Sequence, residues 1–202
     1  MNKSIPIMAA GVTTAAIISA GAIWLGRDDA KGDTPGAEIG RALPTAPANG
    51  ELKVAATVNG RPIYATELEA AAVAQQGSTG GSDALQTLID HELLLEEGRR
   101  LGLEPSEAEV AAAVKANRAD AESPEGATSR RLIEEYIKRT GTTWDEYWTS
   151  TTVSLAWKRT LTLSRVREKL GAAATTQADR QAAVEVRLAE LRKSAKIERF
   201  DP

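Results

Sequence analysis

The sequence predicts a mainly α-helical body with a short β element at its start, carried behind one N-terminal membrane-spanning helix. Three observations predict the body. A helix-start motif, a hydroxyl residue followed three positions later by an acidic one, recurs along the chain. Glycines stand just after the helical runs that these motifs open. Between them, apolar residues recur at the three-to-four spacing of a helix face.

The first element is the membrane segment, residues 1–26. Lys3 precedes an uncharged run, Ser4 to Gly26, that ends at Arg27-Asp28-Asp29. Such a run matches the ~20 residues a helix needs to cross ~30 Å of hydrocarbon. Trp24 near its far end suits an interfacial anchor. Ala20-Gly21-Ala22 resembles a cleavage site, so a cleaved signal peptide stays open as an alternative. The length of the run, and its continuation through Ile23-Trp24-Leu25, favour an uncleaved signal anchor. Lys3 places the body on the extracytoplasmic side of a single-pass chain, with Arg27 and Lys31 partly opposing it. Cleavage would leave the body secreted or periplasmic.

Residues 27–52 read as a flexible linker. They contain Pro35, Pro44 and Pro47 and no sustained apolar period. A coil of this length spans about 25–30 Å root-mean-square, enough to clear lipid headgroups.

The folded body covers 53–202. Val54–Val58 is β-prone, Asn59-Gly60 is a strong turn dipeptide, and Ile63-Tyr64 can return as a second strand, with Pro62 limiting its pairing. Helices are then expected over Thr66 to about Gln76, Ser82–Leu101, Ser106 to about Ala121, about Ser129–Thr140, Thr143–Leu170 and Thr176–Ala195. Lys196–Phe200 follows as a closing strand. The capping pairs are Thr66/Glu69, Ser106/Glu109, Thr143/Glu146 and, in weaker form, Thr176/Asp179. Gly102, Gly141 and Gly171 are candidates for the left-handed conformation that ends a helix. The Thr143–Leu170 helix would be about 40 Å long, more than a small core can cover.

Composition narrows the chemistry. There are no cysteines, which leaves no disulfide, thiolate nucleophile or cysteine metal site. The formal net charge of −3 gives no basic field for nucleic acid. His91 is the one histidine, flanked by Asp90 and Glu92 in a helix, and reads as a solvated or capped residue rather than part of a triad or a zinc site. Gly77–Gly81 lies between helices, not after a strand, and so reads as a connector rather than a phosphate loop. Glu96-Glu97 and Glu134-Glu135 are sequence neighbours that point apart on a helix, so they read as solvated faces. The basic residues Arg187, Arg192, Lys193, Lys196 and Arg199 are interleaved with Glu185, Glu190 and Glu198. No catalytic, cofactor-binding or metal-ligating residue is expected.

The aromatic stretch is the exception. Trp144, Tyr147, Trp148, Trp157 and Leu161 fall on helical spacing and form the candidate peptide-binding surface. Two readings stay open for them: core packing, or an apolar groove that holds extended peptides.

Val54-Ala55-Ala56-Thr57-Val58-Asn59-Gly60-Arg61-Pro62-Ile63, opening onto Thr66-Glu67-Leu68, resembles the start of SurA-type periplasmic chaperones and PrsA-type foldases. The resemblance continues through the Leu85–Gly98 helix, Leu101-Gly102-Leu103, the Ser106–Val110 helix start, Thr143–Trp148 and the closing Leu191–Glu198. It implies a SurA N-terminal-like helical domain, its first strand or hairpin paired with the last strand. It also implies an ATP-independent chaperone that binds unfolded or exported polypeptides. Relatives carry parvulin prolyl-isomerase domains between the long helix and the closing helix. Only Gly171–Thr175 lies at that point here, so the isomerase activity is not carried over. The same helical surface would also suit a membrane-anchored adaptor for one specific partner.

Overall fold

The computed structural model describes residues 53–75 and 83–200. The membrane segment, the linker and the Gly77–Gly81 connector lie outside these residues.

The chain opens with a hairpin of β1 (Val54–Val58) and β2 (Arg61–Tyr64). Asn59 and Gly60 both take positive φ, +50° and +80°. That is the turn which matches the twist of a two-residue hairpin, and Asn-Gly tolerates it best. β3 (Ile197–Arg199) adds to the other side of β1, so the antiparallel order is β2-β1-β3. Pro62 therefore sits on an edge strand, where a missing N–H costs least. Asn59 ties the ends together. Its N–H donates to the Lys196 carbonyl at 2.9 Å, and its Oδ1 accepts from the Lys196 N–H at 2.8 Å.

Helices follow as α1 (Ala65–Gln75), α2 (Ala84–Arg100), α3 (Glu107–Glu122), α4 (Ala127–Thr140), α5 (Trp144–Thr149), α6 (Thr151–Leu170) and α7 (Gln177–Ser194). The capping boxes of Ser106/Glu109 and Thr143/Glu146 are complete, and Thr176 caps α7 by accepting from the Asp179 N–H. Gly102 and Gly141 adopt φ of +66° and +69°.

Three expectations change. The α1 start is not built on Thr66/Glu69: the carboxylate of Glu67 reaches back to the Tyr64 N–H at 2.9 Å, and the helix begins at Ala65. Gly171 closes α6 at φ −89°, outside the left-handed region. The expected 28-residue helix Thr143–Leu170 is two helices, and α6 alone spans only about 30 Å. Ser150 ends α5 and caps α6, accepting from the Val153 N–H at 3.2 Å and donating to the Tyr147 carbonyl at 2.7 Å. The surrounding Thr149-Ser150-Thr151-Thr152-Val153 is a run of weak helix formers, and Ser hydroxyls compete for the backbone.

The core has two parts. One joins the sheet to α1, α2, α7 and the C-terminal half of α6, through Ala56, Val58, Ile63, Ile89, Leu93, Leu94, Val166 and Leu188. The other joins α3, α4 and α5 to the N-terminal half of α6, through Val110, Leu132, Ile133, Tyr147, Trp148, Val153 and Trp157. Helix α6 runs through both. Among the described residues, no helix is long and apolar enough to cross a membrane.

Candidate functional site

A cleft of about 310 Å³ lies between α2 and α6, closed at one end by β2 and the loop after α2. Helix α2 contributes Glu92, Leu95 and Arg99, three residues on one face at spacings of three and four. From α6, the same periodicity brings Thr152, Leu155, Ala156 and Arg159 to the opposite wall. Arg61 of β2 and the Glu104–Lys158 pair complete the rim.

Charge in the cleft is unequal. The Glu92 carboxylate, buried with its side chain 8% exposed, pairs with Arg159. Glu104 faces the Lys158 ammonium at 3.4 Å. Those pairs cancel. Arg61 and Arg99 remain, and among the described residues no carboxylate lies within ion-pair distance of either. The Arg99 Nη2 is buried without a hydrogen-bond partner. Burial, followed by the nearby Arg61 charge, lowers the Arg99 guanidinium from its ordinary pKa. Beside it Leu155 is 56% exposed, a large apolar side chain left in solvent at the cleft wall.

The sequence leaves core packing and an apolar groove both open for the aromatic stretch. Tyr147, Trp148 and Trp157 are 4%, 3% and 7% exposed and belong to the core. Edge-to-face contacts lock them: Tyr147–Trp148 centroids lie 5.0 Å apart and Tyr136–Tyr147 5.6 Å. Burial raises the Tyr147 hydroxyl well above its ordinary range. Trp144 and Leu161 are half-buried and pack on the margin of the same cluster, the Trp144 Nε1–H donating to Glu122 at 2.9 Å. The five residues thus form a packed cluster, of which two keep some surface. Large apolar side chains at helical spacing fit a core and a groove equally well, so a local reading of these residues does not decide between them.

Two expectations are corrected. His91 is 4% exposed, not solvated, with its Nε2 3.1 Å from Arg167 Nη2. Burial, followed by the Arg167 and Arg159 charges, pushes its pKa down to about 3. Glu97 is 3% exposed, held by Arg100 at 2.7 Å and by Arg187 at 3.1 Å. Those hydrogen bonds, Arg100 first, hold its carboxyl down at about 2 despite the burial. Glu134 and Glu135 are exposed, as expected. Two basic residues of α7 are paired: Arg192 grips Asp90 with both forks, at 2.7 and 2.5 Å, and Arg187 takes Glu97 and Glu190.

Sequence reasoning did not find the cleft residues Arg61, Arg99, Leu155 and Arg159. Each helix shows its three-and-four spacing, but nothing local says which face of α2 meets which face of α6. Among the described residues, no group of His, Asp and Glu is arranged to hold a metal ion. The cleft offers a cationic patch beside an apolar one and no nucleophile paired with a base.

The fold is a mainly helical domain closed by a small antiparallel sheet. Residues 41–161 match the SurA-like N-terminal domain family, more than half of the chain. The chain belongs to that family. No curated protein and no solved structure matches it.

Proposed function

We propose that this chain is an ATP-independent chaperone of exported polypeptides. Residues 1–26 hold it at the membrane, 27–52 act as spacer, and the body 53–202 stands on the extracytoplasmic side. The observation that carries the chaperone function is the family match across 41–161, since SurA-like N-terminal domains belong to a chaperone-like family. The membrane placement rests on the uncharged run Ser4–Gly26. The α2–α6 cleft, with Leu155 exposed, supports the chaperone function as a contact surface, and Trp144 and Leu161 keep some apolar surface at the margin of the α3–α5 cluster. Binding by such small surfaces is weak and broad, because apolar burial of about 25 cal/mol per Å² must first offset the ordering of the client.

Aggregation of several unrelated unfolded proteins, followed by light scattering, tests this. The chain should suppress it near a one-to-one ratio without ATP. Unchanged scattering with every client would reject the chaperone function.

One observation favours a second function, an adaptor for a single partner: Tyr147, Trp148 and Trp157 are sealed in the core, which leaves a small and specific cleft. An adaptor would ignore unfolded clients and retain one native protein.

A further inference from the structure

We infer that the α2–α6 cleft is a subsite for an acidic side chain flanked by an aliphatic one in an extended polypeptide. This inference rests on the chaperone function proposed above and names the class of segment its cleft selects.

Size sets the first limit. A volume of about 310 Å³ is near the lower bound of ligand pockets, ~300 Å³. It takes one or two side chains and excludes a whole helix. Charge sets the second. Glu92 pairs with Arg159 and Glu104 faces Lys158, so Arg61 and Arg99 have no ion-pair partner among the described residues. Glu92, Glu104 and Glu96 do lie near enough to Arg99 to favour its charged form. The lining residues sum to a net positive cleft. The cleft adjoins the negative C-terminal end of α2 and the positive N-terminal end of α6. The helix dipoles therefore offset, and the side chains decide the sign. A guanidinium presents its donors in a planar fork that fits a carboxylate, and both Arg61 and Arg99 line the cleft. The Arg99 Nη2 is itself buried without an acceptor, so the remaining donors of the two forks are the ones a ligand meets. Leu155, 56% exposed on the facing helix, offers the adjoining apolar contact. A strand-like segment sends neighbouring side chains to opposite faces, so a carboxylate and a leucine two residues apart point the same way. That pair would meet Arg99 and Leu155 together.

The test uses the full chain and fluorescein-labelled peptides of equal length, in which leucine alternates with glutamate-and-alanine, glutamine-and-alanine or lysine-and-alanine positions. Anisotropy titrations at low salt should show the glutamate peptide binding roughly tenfold tighter than the glutamine peptide, with the lysine peptide weakest. Raising salt should shrink the difference. Arg99→Gln should reduce the glutamate preference to within about twofold. Leu155→Ser should weaken both the glutamate and the glutamine peptide by a similar factor, roughly threefold to tenfold. Equal binding of the glutamate and glutamine peptides by the unaltered chain overturns the inference, as does a preference that survives in folded Arg99→Gln. Should Arg99→Gln fail to fold, Arg61→Gln and Leu155→Ser decide it by the same criteria, since both side chains are exposed. Vesicles containing phosphatidylglycerol form a separate arm. If they bind in an Arg99-dependent way while the peptides show no preference, the site serves a lipid headgroup and the inference fails. Aggregation suppression by the unaltered chain keeps the two conclusions apart. Suppression without charge preference removes the subsite alone, and charge preference without suppression removes the chaperone function alone.

Discussion

At His91 a single buried ring sets how the fold responds to mild acid. Arginine has donors only, so the Nε2 facing Arg167 must accept, and the ring proton sits on Nδ1, which has no partner. A second proton would place a cation beside another cation in the interior. The folded pKa of about 3 lies below the ordinary 6.5, so between these values the unfolded chain binds the proton and the folded one does not. Stability therefore falls as pH drops through this window. Urea denaturation should show the unfolding free energy falling by about 1–2 kcal/mol from pH 7 to pH 5, with most of that dependence absent from His91→Gln. The same slope in both proteins would show that His91 is not the group responsible. Glu97 acts at lower pH. Its carboxyl is depressed from 4.5 to about 2, so its stabilisation is present above 4.5 and is lost as pH falls toward 2.

Between elements, α2 meets α6 closely at a glycine. A Cβ added at Gly98 would stand 2.5 Å from Thr162 Cγ2 and 3.0 Å from Val166 Cγ2. Both neighbours are β-branched helix residues with a stiff χ1, so neither methyl swings away. Elsewhere in a helix Gly→Ala gains up to ~1 kcal/mol. Here Gly98→Ala should cost about 1–3 kcal/mol net, because overpacking forces the helices apart. Thr162→Ser, which removes the clashing methyl, should recover a good part of that loss. Additive effects of the two substitutions in a double-mutant cycle would contradict the contact. The same elements show what was legible in the sequence. Ser106, Thr143 and Thr176 announce their helices because a cap is made within four residues, and Asn59-Gly60 announces its hairpin for the same reason. The end of α5 at Ser150 is less legible, since the apolar spacing of Trp144, Trp148, Val153 and Trp157 gives no sign of an interruption. Burial of His91 and Glu97, and the cleft residues Arg61, Arg99 and Leu155, come from α6, α7 and β2 closing on α2. Those approaches join residues far apart in the chain, so no local pattern encodes them.

Across the whole molecule, the two-part core divides stability unevenly. The sheet and α2 share a cluster that includes Ile63, Ile89, Leu93 and Leu94 at 2% exposure or less, and the Glu97–Arg187 and Asp90–Arg192 pairs fasten α7 over it. The α3–α5 lobe is joined to the rest through the N-terminal half of α6, and its cluster includes the Trp148 and Trp157 Nε1–H groups, buried without partners. Unpaired buried donors, each costing about 1–3 kcal/mol, occur in both parts, since His91 Nδ1 and Arg99 Nη2 lie on α2. The difference rests on the smaller set of buried residues in the α3–α5 cluster. Opening of this lobe should therefore precede global unfolding. Native-state hydrogen exchange should find the amides of 107–149 opening at a free energy about 2–4 kcal/mol below those of α2 and β1. Three of the chain's tryptophans, Trp144, Trp148 and Trp157, lie in that lobe and report on it directly. If the opening also admits clients, saturating an unfolded client should shift their fluorescence and raise exchange across 107–149, making the sealed aromatic cluster a reserve of apolar surface. A single opening free energy shared by 107–149 and α2 would instead make the body one cooperative unit, and would confine client contact to the α2–α6 cleft.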